Sequence, residues 1–295
     1  QLRSASLDRD GDRGLNALIT VAVQGELGSN SALAAASYFE EERIFILPCQ
    51  TFDELFEAVD KGEAQYGMAP MENSLAGSIH AVWELLAVYT PSIAGEIFYH
   101  VRHCLIGHPE AKLEDIRYVY SHPQALAQCS AFLLGLEDLD PDNILAEYDT
   151  AGAVELVKKS NKKDRAAIAS SAAADLHQMQ VLATDIQSHK RNYTRFAVLG
   201  PRSSQGRQNK TSLVCTLDRT GAGLSEVVDA FTNRKIALYK VESRKLVNEP
   251  WAYRFYLECQ GDTEDAAVAA ALADVRNAVR DLSIIASYPA APLLP

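Results

Sequence analysis

From residue 18 onward, short apolar runs alternate with longer amphipathic stretches, so secondary structure can be read from the two periods. Residues 18–24 are apolar and β-prone, and residues 25–29 supply a turn. An Ala-rich helix is expected over 31–39, then a strand at 44–47, a helix at 52–60 and a strand at 66–70. The spacing predicts a helix over 79–89 after the Asn73-Ser74 turn, and 93–106 reads as an extended segment that would bridge two lobes. The pattern then repeats, with strands at 118–120, 144–148 and 166–169 and helices at 124–134, 151–159 and 171–176. Strands alternating with helices of this length predict mostly parallel sheets covered on both faces.

The character changes near residue 200. Residues 201–210 are polar apart from Pro201 and Gly206 and read as a linker. Beyond them the order is βαββαβ: a strand at 211–217, a helix at 223–233, strands at 236–243 and 252–259, a helix at 264–280 and a short strand at 283–288. The first seventeen residues are polar, carry three Arg and three Asp, and lack the apolar run of a secretory signal. They are expected to be a disordered tail or a cloning remnant, outside the fold.

Composition narrows the class. A chain of 295 residues that is 47% hydrophobic can bury a sizeable core and suggests about two domains. No stretch approaches the ~20 apolar residues of a membrane span. The five cysteines are scattered and never paired as Cys-x-x-Cys, which fits free thiols in a reducing cytoplasm and argues against a disulfide scaffold or a zinc site. A net charge of −11 argues against a nucleic-acid-binding surface.

The most informative residues are Asn192-Tyr193-Thr194-Arg195-Phe196, at the start of a strand expected over 196–199. They set a hydroxyl, a fixed positive charge and an aromatic plane side by side. Arg suits carboxylates because its planar fork donates two parallel hydrogen bonds and stays charged. An anion held by Arg195 would have the Thr194 hydroxyl within reach of its reacting end. Three further blocks precede this one: Pro70 to Ser74, Ser121 to Leu126 with Gln128 two residues on, and Asp149-Thr150-Ala151.

Each block has an ordinary reading beside the functional one. Asn73-Ser74 before a helix is what N-capping looks like. Ser121-His122-Pro123 fits a strand-to-helix turn with Pro at the first helical position. Asp149-Thr150 is a capping pair as readily as a ligand contact. Thr194 and Arg195 have no comparable structural role. His100-x-x-His103 lies in an extended segment, where that spacing does not put both rings on one face, and no third ligand is evident. The Glu40-Glu41-Glu42 run reads as a solvated helix end, and Gly25-x-x-Gly28 lacks the third Gly and the acidic partner of a nucleotide loop.

Taken together and in this order, the four blocks resemble the prephenate dehydratase family, which carries P-x-E-N-S, S-H-P-Q-A-L, D-T-A and N-x-T-R-F segments. The resemblance runs from about residue 20 to the end of the chain. It implies an α/β fold: a two-lobed, periplasmic-binding-protein-like catalytic domain over 18–200, with lobe 1 at 18–98 plus 190–200 and lobe 2 at 99–189. An α+β, ferredoxin-like (βαββαβ) ACT domain over 211–295 follows the 201–210 linker. It implies Thr194, Asn73, Ser121 and Gln128 as catalytic residues, and Arg195, Ser74, Phe196, Ser29, Thr150 and Ala151 as substrate contacts. The Gly221-Ala222-Gly223-Leu224 turn and Glu242-Ser243-Arg244 match the ACT ligand loop and signature, so Ala222, Gly223, Leu224, Glu242, Ser243 and Arg244 are expected to hold an effector. Two departures stand out: Lys245 replaces the signature Pro, and Glu26 replaces the Pro of the family's G-P-x-G-T turn.

The activity implied is decarboxylating dehydration of prephenate to phenylpyruvate in L-phenylalanine biosynthesis, without cofactor or metal, inhibited by L-phenylalanine in a cytoplasmic homodimer or homotetramer. Because prephenate is a dianion, an acidic chain must bind it through local fields at helix N-termini and one or two cationic side chains. Arogenate dehydratase, with the same chemistry on an amino acid, is the nearest alternative. A non-catalytic ACT-containing amino-acid sensor is an alternative of another class, against which the intact Asn192–Phe196 block argues.

Overall fold

The computed structural model describes residues 18–40, 42–201, 208–217, 223–246, 249 and 252–292. The expected tail at 1–17, most of the 201–210 linker, and Gly221-Ala222 lie outside the described residues. The chain divides into two compact units, the described residues of 1–78 with 98–196, and those of 79–97 with 197–295.

The first unit opens with β1 (Ile19–Gln24), α1 (Asn30–Tyr38), β2 (Ile44–Cys49), α2 (Phe52–Asp60), β3 (Tyr66–Asn73) and the two-residue β4 (Gly77–Ser78). Ser29 and Thr51 start the two helices, their hydroxyls accepting from the Ala32 and Glu54 amides. β1 lies parallel to both β2 and β3, with β4 folded back antiparallel on β3. Later strands β5 (Ile93–His100) and β11 (Tyr193–Leu199) complete a sheet of order β2-β1-β3-β11-β5.

A second sheet is built from β6 (Cys104–Gly107), β7 (Tyr118–Ser121), β8 (Ile144–Ala146), β9 (Arg165–Ala169) and β10 (Gln180–Ala183), in the order β10-β6-β9-β7-β8. Its helices are α4 (Pro123–Gln128), α5 (Ser130–Leu134), α6 (Thr150–Ser160) and α7 (Ser171–His177). Period-two alternation splits these strands between two cores. Cys104, Ile106, Ala167 and Ala169 pack with Val154 and Val157 of α6 and Ala173 of α7. Leu105, Ala166 and Ile168 pack with Ala125 of α4 and Leu133 of α5. The two lobes meet where the Ser170 hydroxyl donates to the Gly28 carbonyl at 2.7 Å. Gly28 has φ +87°, and a Cβ there would lie 3.0 Å from the Ala173 backbone, so the approach requires glycine.

The second unit contains α3 (His80–Tyr89) and the βαββαβ series β12 (Lys210–Thr216), α8 (Leu224–Thr232), β13 (Leu238–Lys245), β14 (Tyr253–Gln260), α9 (Ala266–Ala278) and β15 (Asp281–Tyr288). The sheet runs β13-β14-β12-β15 with every neighbour antiparallel. One face buries Leu213, Cys215 and Leu257 against Val227 and Phe231 of α8 and Leu272 and Val275 of α9. On the other face Tyr256 meets Trp83 of α3, ring centroids 5.7 Å apart, and the Lys240 ammonium sits 5.4 Å from the Trp83 ring. Lys210 pairs with Glu96 at 2.6 Å, with side-chain exposures of 9% and 0%. The fold is thus α/β with two lobes, followed by an α+β ferredoxin-like sheet.

Several local expectations change. The second sheet is mixed, since β6 is antiparallel to both β9 and β10, and β10 has no counterpart among the elements expected from the sequence. Residues 93–106 form two strands in different sheets. The single helix expected over 124–134 breaks at Cys129, because the Gln128 carbonyl is taken by the Ser188 amide (2.8 Å) and the Ala131 amide donates to the Ser188 hydroxyl (3.4 Å). β3 runs on to Asn73, and α3 begins seven residues later without a side-chain cap, so Asn73-Ser74 is a strand end and not a helix N-cap. β11 begins at Tyr193, placing Thr194 and Arg195 inside a strand rather than at its approach.

Candidate active site

The end of β3 fixes the local polarity. The Asn73 side-chain oxygen accepts from the Leu75 and Ala76 amides, both at 3.0 Å, which closes the turn into β4. Its amide nitrogen therefore faces β11, donating to Asn192 Oδ1 at 2.8 Å, the Tyr193 carbonyl at 3.2 Å and Thr194 Oγ1 at 3.0 Å. Asn192, fully buried, must then turn its own amide nitrogen outward, and it donates to Gln128 Oε1 at 2.9 Å. His103 Nε2 lies 2.8 Å from the same oxygen. An oxygen already accepting from Asn192 can only be met by a donor, so Nε2 carries the imidazole proton. Burial lowers the His103 pKa below the ordinary histidine value, and the Gln128 contact opposes this only in part, so the ring is neutral near pH 7.

This chain of contacts leaves hydrogen-bond donors at its free ends. Thr194 Oγ1 accepts from Asn73 and, among the described residues, gives its own proton to nothing. Gln128 Nε2 spends at most one hydrogen on a long 3.5 Å contact with Asn73, and the other meets no acceptor among the described residues. Ser74 holds the segment in place: its hydroxyl donates to the Arg191 carbonyl at 3.0 Å and accepts from the Tyr193 amide at 2.9 Å. A site that offers hydroxyl and amide donors, with no carboxylate in the network, suits a group that becomes more negative as it reacts.

Asn73, Ser74, Gln128 and Thr194 thus come together, joined by Asn192 and His103. Asn192 is visible in the sequence as part of a block; nothing there marks His103, whose spacing from His100 raises only the question of a metal ligand. The other expected residues stand elsewhere. Ser121 is fully buried, its hydroxyl donating to the Ile168 carbonyl at 2.6 Å. Phe196 is 1% exposed and belongs to the core. Ser29 caps α1, and Thr150 and Ala151 open α6 behind Asp149, whose carboxylate accepts from the Gly152 amide at 2.6 Å. Ala151 lines a pocket of about 330 Å³ with Glu26, Leu27, Gly152, Glu155, Leu176 and His177.

Arg195 departs most from expectation. Successive strand residues point to opposite faces. Thr194 meets Asn73, whereas Arg195 turns away to Glu72, Nη2 to Oε2 3.2 Å, with its side chain 6% exposed. The two side chains therefore leave β11 toward different partners. The reason is that the strand begins three residues earlier than the apolar run indicates.

In the second unit, Gly223 starts α8 at φ +98° and lines a pocket of about 610 Å³ with Glu226, Asp229, Arg234 and Asp274. Glu242 on β13 pairs with Lys240 at 2.7 Å and His80 at 3.4 Å. Ser243 and Arg244 follow it on β13, Leu224 is the first residue of α8, and Ala222 lies outside the described residues.

A family model described as prephenate dehydratase matches residues 21–204. The chain belongs to the prephenate dehydratase family. Within that family it is 37% identical over 294 residues to "Arogenate dehydratase 1" of Petunia hybrida, covering 92% of this chain and 67% of that one. It is 31% identical over 280 residues to the "Bifunctional chorismate mutase/prephenate dehydratase" of Escherichia coli (strain K12), covering 93% and 72%. Among solved structures, the prephenate dehydratase of Arthrobacter aurescens in complex with L-Phe superposes with a TM-score of 0.79 at 26% identity, covering 92% of this chain and 90% of that one. A structure described as GqqA, a novel type of quorum-quenching acylase, superposes with a TM-score of 0.80 at 32% identity, covering 92% and 98%. Membership of the dehydratase family makes the chain an enzyme of the lyase class. No described helix is long and apolar enough to cross a membrane.

Proposed function

We propose that the chain converts prephenate to phenylpyruvate at the Asn73–Gln128–Thr194 cluster. The observation that carries this reading is the donor-only face of the network, with the Thr194 proton free while its oxygen is held by Asn73. In the reaction the ring carbon–carboxylate bond breaks and its electron pair enters the ring. The ring carbon–oxygen bond breaks at the same time, carbon dioxide is released, and hydroxide leaves with its pair and takes a proton from solvent to become water. Aromatisation drives both cleavages, so the protein needs to orient the ring and stabilise the departing oxygen. Thr194 and Gln128 donate hydrogen bonds to that oxygen. A threonine hydroxyl is too weak an acid to give up its proton outright, so Thr194 polarises and relays. Ser29, Thr150 and Ala151 border the binding surface, Ser121 and Phe196 support it from within the core, and Arg195 holds its strand through Glu72.

Arogenate differs only in carrying an ammonium where prephenate has a keto group, and the 37% identity to the petunia protein favours it as a second reading. An acylase reading would need a base on the hydroxyl nucleophile, and the cluster does not place one there, since His103 contacts Gln128 and does not stand as a base on Thr194. Regulation is proposed to follow the L-Phe complex of the Arthrobacter relative: L-phenylalanine held by Gly223, Leu224, Glu242, Ser243 and Arg244, with Ala222 completing the loop. The proposed domain limits stay at 18–200 and 211–295. The proposed assembly is a homodimer or homotetramer in the cytoplasm, a location favoured by five buried free thiols.

The test is turnover of prephenate and arogenate side by side, with phenylpyruvate and phenylalanine quantified separately, in the presence and absence of added L-phenylalanine. Prephenate turnover that falls ~10²–10⁴-fold in Thr194→Ala is the expected result. Preference for arogenate moves the conclusion to the second reading, and no turnover of either by folded protein moves it to an amino-acid sensor.

A further inference from the structure

Gln128 is useful to the reaction only if its amide nitrogen, rather than its oxygen, faces the substrate. A terminal amide has two orientations of nearly equal shape, so something must choose between them. Asn192 supplies one donor to Gln128 Oε1 at 2.9 Å, and His103 supplies a second at 2.8 Å. We infer that His103 is a positioning residue of the dehydratase reaction, which acts through its Nε2 proton to lock the Gln128 amide with its donor turned toward the substrate. This rests on the dehydratase reading above.

The surroundings of His103 support a locked donor. The residue is 3% exposed, in the loop between β5 and β6. Its own amide donates to Gln187 Oε1 at 2.9 Å, and its carbonyl accepts from the Ile186 amide at 3.1 Å. The backbone is thus held on both sides, and the ring cannot swing away without breaking buried contacts. Gln128 is held likewise, through its carbonyl and the Ser188 amide at 2.8 Å. With both backbones held, the orientation that decides the chemistry is that of the Gln128 amide about its last torsion. The two donors on Oε1 fix it, because the reversed amide would set N–H groups against N–H groups at both contacts. The polarity is transmitted from the Leu75 and Ala76 amides through Asn73 and Asn192, and His103 closes the far end of that series.

The role differs from simple core filling in what it moves. Replacing His103 by Leu keeps bulk and removes the donor; replacing it by Gln restores an amide N–H close to where Nε2 stands. The expected result is a kcat loss of ~10–100-fold in His103→Leu with KM changed less than ~3-fold, and recovery of most of that loss in His103→Gln. In a Gln128→Ala background, His103→Leu is expected to cost no further kcat, because the group it positions is gone. Independently of activity, ring ¹⁵N NMR of the full chain is expected to show His103 as the Nε2–H tautomer. Three outcomes overturn the inference: kcat of His103→Leu within ~2-fold of the parent, an equal loss in both backgrounds, or the Nδ1–H tautomer. Should the parent protein turn over neither prephenate nor arogenate, the dehydratase reading fails. The NMR result still decides whether His103 donates to Gln128, and comparing the His103→Leu and Gln128→Ala spectra shows whether the lock exists.

Discussion

Replacing Asn73 by Asp exchanges an amide nitrogen for an oxygen and should reverse the polarity of the whole network. The carboxylate would keep one oxygen on the Leu75 and Ala76 amides, but present a second oxygen where the amide nitrogen now faces Asn192, the Tyr193 carbonyl and Thr194. Asn192 would turn its amide to donate to that oxygen, and Gln128 would turn in response, now showing its own oxygen to the substrate. The Thr194 hydroxyl would give its proton to the introduced carboxylate instead of to the leaving group. Both donors are lost together, so kcat is expected to fall ~10²–10⁴-fold, or ~2.7–5.4 kcal/mol of barrier. Folding stability should fall by ~1–3 kcal/mol, because most polar groups regain a partner and the main penalties are a buried charge, the facing Tyr193 carbonyl and the His103 Nε2 proton left against the turned Gln128 amide. Asn73→Ala gives the opposite balance. It strands Asn192, which has no access to water, at a similar ~1–3 kcal/mol, yet leaves the Thr194 proton free. The isosteric change should therefore damage turnover more than the truncation does. Steady-state kinetics on the preferred substrate, with thermal unfolding of each variant, measures both quantities. If Asn73→Asp keeps kcat above that of Asn73→Ala, the donor-polarity account is wrong.

Two further outcomes concern stability. His103 titrates below its ordinary value of 6.5 because burial disfavours the charged ring, so folding prefers the neutral form and the unfolded chain takes up the proton first. Its contribution is intact above that value and drains as pH falls from there toward the folded pKa, at up to ~1.4 kcal/mol per pH unit. His122 is shifted the same way, burial again being the larger cause. Tm is expected to be flat from about pH 8 to about pH 7 and to fall below that, with a shallower fall in His103→Gln; identical slopes in the two proteins would remove His103 as a source. Separately, Lys210→Met removes the ammonium from the fully buried Glu96 side chain, leaving the Ala291 amide on the same oxygen at 3.0 Å, and should cost up to ~3–5 kcal/mol, while Glu96→Leu with Lys210→Met should regain most of it. A Tm unchanged by Lys210→Met alone would show that Glu96 does not depend on this pair.

The order of elements was legible in the sequence because hydrophobic period is a local property. The helix at Phe52–Asp60 was placed to the residue, and the βαββαβ series of the C-terminal half came out element by element. The blocks that carry chemistry were also legible, since Asn73, Gln128 and Thr194 lie in segments of distinctive composition. Tertiary structure decided how they face. Whether a polar residue at a strand end caps a helix or pairs with a distant strand depends on where that strand runs, and Asn73 meets Thr194 across 121 positions of chain. Strand register likewise separated Thr194 from Arg195, though they are neighbours in sequence, because adjacent side chains leave a strand on opposite faces. The break at Cys129 came from Ser188, far downstream in the chain, competing for a helical carbonyl. His103 had no signal at all: an isolated histidine in an extended segment looks the same whether it fills a core or orients an amide. Sequence determined which groups are available, through local propensity and composition. The fold determined which of them meet and which way each hydrogen bond points, because donors and acceptors can be ordered only once the backbone has fixed one end of the series.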